Sequence, residues 1–102
     1  MRKDLNKVVI VGRLTVNPEF RIGKNGNGIA RLRVASNYGE YATFITIKAF
    51  KKLADVCNQY LHKGDTVLIE GRLGNYKKNL EVVAHNIKFL NTKSVQDQNE
   101  PF

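Results

Sequence analysis

A chain of 102 residues suits one compact domain, because domains usually run to about 100–150 residues, and it leaves no room for a second core of useful size. Seventeen Lys and Arg against nine Asp and Glu give a net charge of +8, which points to a polyanion as partner, nucleic acid first and an acidic membrane surface second, unless the charge serves solubility alone. Hydrophobic residues at 42% exclude a disordered chain, and no apolar run approaches the ~20 residues of a membrane span or forms a signal-peptide core, so a cytoplasmic protein is expected.

Residues 6–15 open the chain as a β-rich stretch, with Val8, Val9, Ile10, Val11 and Leu14 around Gly12. A glycine inside a strand marks a bulge or sharp bend of the kind that closes a barrel. Asn17-Pro18 starts a turn, residues 19–22 continue the strand at an edge, and the glycines and asparagines of residues 23–28 make a loop. Residues 29–37 predict a second strand. Period-two alternation sends Ala30, Leu32 and Val34 to one face and Arg31, Arg33 and Ala35 to the other. After a short turn at residues 38–41, residues 43–50 predict a third strand with Phe44, Thr46, Lys48 and Phe50 on one face.

From residue 51 to 62 the period changes. Leu53, Val56, Cys57, Tyr60 and Leu61 fall at i, i+3, i+4, i+7 and i+8, the apolar stripe of a helix, and Lys63-Gly64 reads as its stop, with Gly64 in the left-handed position after the last turn. Residues 65–73 and 80–90 predict the fourth and fifth strands, joined by a basic turn at 74–79. Residues 1–90 thus form the folded domain. Residues 91–102 are polar, with Val95 and Phe102 as their only large apolar side chains, and are expected to be a flexible tail. The order of three strands, one helix and two strands predicts an all-β fold, a five-stranded OB barrel with the helix between the third and fourth strands.

The informative face lies on the second and third strands, where Arg31, Arg33 and Lys48 alternate with Phe44 and Phe50. Exposed aromatics on a strand need a reason. A single nucleic-acid strand supplies one, because its bases offer π-faces for stacking while Arg and Lys follow the phosphates; a duplex hides those faces. The alternative for Phe44 and Phe50 is cover for an apolar edge or a subunit contact. Tyr38, Tyr41 and Tyr76 sit in the flanking turns, either as stacking or as packing residues, with Lys77 and Lys78 beside Tyr76. Arg13 and Arg72 add charge on the first and fourth strands. Arg21 and Lys24, near the glycine-rich loop, are either further phosphate contacts or solvated surface.

Little in the sequence supports catalysis. There is no nucleophile elbow and no HExxH, and the glycine-rich loop lacks the Gly-Lys-Ser/Thr of a P-loop. Cys57 stands alone and His62 lies far from His85, so no disulfide, zinc site or cofactor is expected. Cys57 reads as a small core residue, His62 as a helix-end residue and His85 as a strand or interface residue.

The residues Asn6-Lys7-Val8-Val9-Ile10-Val11-Gly12-Arg13-Leu14 with Pro18-Glu19-Phe20-Arg21, the junction Ala49-Phe50 into Leu53-Ala54-Asp55-Val56 and Tyr60-Leu61-His62-Lys63-Gly64, then Val67-Leu68-Ile69-Glu70-Gly71-Arg72-Leu73, and Glu81-Val82-Val83-Ala84 with Phe89-Leu90 resemble the bacterial-type single-stranded DNA-binding protein family. The resemblance runs from about residue 6 to 90. It implies an OB fold that binds single-stranded DNA with little sequence preference in replication, recombination and repair, near the nucleoid, without catalysis. It also implies a homo-oligomer, a tetramer before a dimer. Its stacking positions are matched by Phe44, Phe50, Tyr76 and Tyr38, every one of them without Trp. Arg13, Arg31, Arg33, Lys48, Arg72, Lys77 and Lys78 are the phosphate contacts expected beside them. The turns near residues 38–42 and 74–79 look shorter than those of many relatives, which predicts a smaller footprint on DNA.

Family members often end in acids, an apolar residue, Pro and Phe, a tip that docks on replication and repair enzymes. Asp97, Glu100, Pro101 and Phe102 match it with fewer acids. Lys93 against Asp97 and Glu100 leaves residues 91–102 at −1 and the preceding body at +9, so a second, basic partner is expected for this end. The rival within the same fold is a dimeric primosomal replication-restart protein; the rival of a different class is a nuclease on a small barrel.

Overall fold

The computed structural model describes residues 2–90. It contains β1 (Val8–Leu14), β2 (Glu19–Ile22), β3 (Gly28–Tyr38), β4 (Tyr41–Phe50), α1 (Lys51–Tyr60), β5 (Thr66–Tyr76) and β6 (Asn79–Phe89). Strands β1, β5, β6, β4 and β3 hydrogen-bond in that order, and β1 then pairs with β3 to close a five-stranded barrel. The helix lies between β4 and β5, as the period change predicts. β2 stands outside the closure, on the edge of β3.

Alternation builds the wall. Ala30, Leu32 and Val34 of β3 meet Ile47 and Ala49 of β4, Val67 and Ile69 of β5, and Val82 of β6 in a fully buried core, while the intervening residues face outward. Closure depends on β1 serving two partners. Its residues Val8–Arg13 pair with β5, and Arg13 and Leu14 pair with Ala35 and Val34 of β3. The changeover falls at Arg13, which pairs with both, and the close approach comes just before it at Gly12, where a Cβ would lie 2.5 Å from the Ala35 carbonyl oxygen and 2.5 Å from a Val34 methyl. The bend read from the sequence is thus a place where two backbones meet without room for a side chain. Asn6, expected at the head of this strand, lies before β1 and acts through its side chain. Its amide donates to the Leu73 carbonyl and accepts from the Leu73 N–H, both at 3.0 Å, and so extends the ladder by two bonds.

Three boundaries differ from expectation. The stretches read as turns at 38–41 and 74–79 are mostly strand. β3–β4 pairing runs to Tyr38 opposite Tyr41, and β5–β6 pairing runs to Tyr76 opposite Asn79. Each hairpin turns on two residues, Gly39-Glu40 and Lys77-Lys78, with φ of 60° at Gly39 and 59° at Lys77, the sign pattern of the II′ turns that suit strand twist. The helix ends at Tyr60, two residues early, because Leu61 swings to an extended conformation that buries its side chain in the core while its N–H still bonds to Cys57. Gly64 is left-handed at φ 94°, but it serves the turn between His62 and Asp65 and not the helix cap.

The helical stripe is also rotated from the expected one. Ala54, Cys57 and Leu61 are buried and Leu53 packs on the core, whereas Val56 and Tyr60 are exposed. α1 rests on β3 and β4, so Ala54 and not Val56 meets the sheet. Burial pushes the Cys57 thiol up to about 11. At pH 8 only about one molecule in a thousand then carries the reactive thiolate. Iodoacetamide should therefore label Cys57 slowly in the native protein and rapidly in denaturant; rapid native labelling would contradict this packing.

His85 is the extra residue of a β-bulge. Glu70 pairs with Asn86 and Gly71 with Ala84, which leaves His85 unopposed and exposed. The bulge resets the alternation, so Val82, Ala84 and Ile87 all face the core. At the same place the Asn86 amide donates to the Glu70 carboxylate at 2.9 Å and lowers its pKa.

Candidate nucleic-acid interface

Register places the outward residues of the barrel in rows. Glu19 of β2 lies opposite Arg31 of β3, Arg31 opposite Lys48 of β4, Lys48 beside Val83 of β6, and Val83 opposite Arg72 of β5. One row thus carries three basic side chains across the outer face. The neighbouring pair joins Arg33 to Thr46, whose hydroxyl accepts from the guanidinium at 2.9 Å. Farther along, Arg13, Ala35 and Phe44 form another row. Phe50 lies opposite Ile29 at the other end of the same face. Phe44 and Phe50 are half-exposed, with Thr46 and Lys48 between them.

The β5–β6 hairpin folds over one end of this face. Tyr76 and Lys77 at its tip, Phe50 and Lys48 of β4, Arg31 and Ile29 of β3, and Arg21 of β2 enclose a cleft of about 560 Å³. Its floor is the Val83 side of β6, and Glu81 and Glu19 contribute carboxylates at its walls. Arg31 bonds Glu19 at 3.2 Å on the exposed rim. Lys48 bonds Glu81 at 3.3 Å, and both side chains are largely withdrawn from water. The Lys48 ammonium also lies 3.4 Å from the centroid of the Tyr76 ring, and the Lys77 ammonium 5.4 Å from it. Two acids and four cations therefore share a cleft with two aromatic rings.

The residues singled out from the sequence do not all meet there. Phe50, Tyr76, Arg31, Lys48 and Lys77 line the cleft. Arg72 adjoins it through the row, and Lys78 is exposed at the hairpin turn. Phe44 lies six residues along β4 from Phe50, about 20 Å away at ~3.4 Å per residue. Tyr38, opposite Tyr41 and strongly exposed, has the alternation of the core side, so it extends the far hairpin on the face opposite Phe44. Asp97, Glu100, Pro101 and Phe102 lie outside the described residues.

A model of the single-strand binding protein family matches residues 5–90. This chain belongs to that family. It is 36% identical to the single-stranded DNA-binding protein of Helicobacter hepaticus over 92% of this chain and 66% of the relative. It is 38% identical to single-stranded DNA-binding protein 1 of Staphylococcus aureus over 94% of this chain and 72% of the relative. The crystal structure of the wild-type single-stranded DNA-binding protein from Thermus aquaticus superposes with a TM-score of 0.79 at 33% identity, covering 86% of this chain and 41% of that one. The chain thus spans about two thirds of the length of the curated relatives and less than half of the solved structure.

Within this family fold, the residues that sequence reasoning missed are Glu19 and Glu81. In the sequence Glu19 reads as edge strand and, like Glu81, as part of a strand motif, with no charge partner assigned to either. No local signal pairs Glu81 with Lys48, since they are 33 positions apart and meet only because β6 lies beside β4. No helix among the described residues is long and apolar enough to cross a membrane, and they hold no cluster of three or more potential metal ligands.

Proposed function

We propose that this chain binds single-stranded DNA along the outer face of β3 and β4 and under the β5–β6 hairpin, with little sequence preference and without catalysis. The observation that carries the reading is the cleft in which Phe50 and Tyr76 stand among Arg31, Arg21 and Lys77. Bases stack on aromatic faces whatever their identity, and cations beside them take the phosphates. A strand leaving the cleft along β4 passes Arg33 and reaches Phe44 and Arg13. Arg72, Lys77 and Lys78 flank it on the hairpin side, and Tyr38 is a peripheral contact at the far hairpin. The proposed setting is replication, recombination and repair in the cytoplasm, as a homo-oligomer, with Asp97, Glu100, Pro101 and Phe102 as the tip that recruits partner proteins.

Titration of labelled oligo-dT by fluorescence anisotropy at several salt concentrations tests this. Binding should weaken steeply with salt, by a log–log slope of about 0.7 per phosphate neutralised, and a duplex of equal length should compete poorly. A duplex that competes as well as the single strand would overturn the reading. Removing Pro101 and Phe102 should leave the titration unchanged while abolishing capture of replication proteins.

A further inference from the structure

Lys48 has the position of a phosphate contact but not the surroundings of one. It stands in the middle of the outer face, directly opposite Arg31. Like charges opposite each other on a sheet repel unless each is compensated. Arg31 is compensated on the exposed rim by Glu19. Lys48 is compensated from the other side, by Glu81 at 3.3 Å, and the two side chains retain only 16% and 12% of their exposure. An ion pair this withdrawn keeps its geometry better than a surface pair, because losing either partner strands a poorly solvated charge. The same ammonium presses on the Tyr76 ring at 3.4 Å. Tyr76 is on β5, next to the turn, and its ring would otherwise be held only by the hairpin and the more distant Lys77.

We propose that Lys48 and Glu81 act together as a neutral bracket that positions Tyr76, and that Lys48 neutralises no phosphate. The ammonium supports one face of the ring and leaves the other for a base. Glu81 holds the ammonium in place and cancels its charge. Arg31, Arg33 and Arg72 then carry the phosphates on this face, and Lys48 is a positioning residue. The inference rests on the reading that the cleft takes a single strand.

The test is the paired variant K48M/E81Q, which removes the bracket without leaving an orphan charge, together with E81Q alone, which is nearly isosteric. Oligo-dT titrations over a salt series separate the two roles. In K48M/E81Q, affinity should fall about two- to fivefold at every salt concentration, the cost of a cation–π contact, with the log–log slope unchanged. Tyr76→Ala should cost less affinity in that background than in the wild type. In E81Q, the released ammonium becomes available to a phosphate, and the slope should steepen by about 0.7. A slope that becomes shallower by about 0.7 in K48M/E81Q would overturn the proposal, as would an unchanged slope in E81Q or an undiminished cost of Tyr76→Ala. A wild-type chain that fails to bind oligo-dT would sink the functional reading instead, so the two failures are distinguishable.

Discussion

Replacing Phe44 and Phe50 together by alanine is expected to lower the affinity for oligo-dT by about 30-fold or more, with little change in salt dependence. Each ring that stacks a base contributes about 1–3 kcal/mol, and the two residues lie far enough apart on β4 to meet different nucleotides. Neither ring belongs to the buried core, so the loss should appear in binding and not in the melting temperature. The contrasting variant is Arg72→Gln, which should cost less affinity at high salt and flatten the slope by about 0.7. Slopes that follow the phenylalanines and affinities that follow the arginine would place the strand on a different face. If the phenylalanines were subunit contacts, the double variant would instead change the mass measured by light scattering and leave monomer binding intact.

The site was legible in the sequence where it depends on alternation, and illegible where it depends on which strands are neighbours. Arg31 and Arg33 outward, Leu32 and Val34 inward follow from a period of two, and the structure keeps that division. Gly12 announced its bend because a glycine among Val8, Val9, Ile10 and Val11 has no local reason to be there. The hairpins were cut short because Gly74, Asn75 and the lysines carry loop composition. Nothing marks Lys77 as the first residue of a two-residue turn, a place where glycine is the usual signal. Composition therefore places Tyr76 in a turn, whereas it is the last paired residue of β5. The helix stripe failed for a related reason. Val56 and Ala54 both fit a 3.6 period, and only contact with β3 and β4 decides that the smaller one goes inside. The Lys48–Glu81 pair needs the parallel neighbours β4 and β6, which no spacing rule reveals.

Gly71→Ala is expected to destabilise the barrel by about 3 kcal/mol, lowering the melting temperature by roughly 10 °C or more, although it adds one methyl to an inward-facing position. A Cβ at Gly71 runs into the backbone carbonyl oxygen of Val83, and it also lies 3.0 Å from the Cα of Ala84. Both obstacles are main chain, so no rotamer change relieves them, and β5 and β6 must separate. They are least free to do so here, because the bulge at His85 already shifts the register between Glu70 and Gly71. Separation would also pull Arg72 away from Val83 and open the row of cations across the outer face, so weakened DNA binding should accompany the lost stability. Gly39→Ala is the control. Its φ of 60° puts a modest strain on any side chain, but a Cβ there meets nothing within 4 Å, so the cost should stay near 1 kcal/mol. Thermal denaturation of the two variants side by side measures the difference. Equal melting temperatures would mean that β5 and β6 do not approach this closely, and that the bulge, not the absence of a side chain, lets the barrel close.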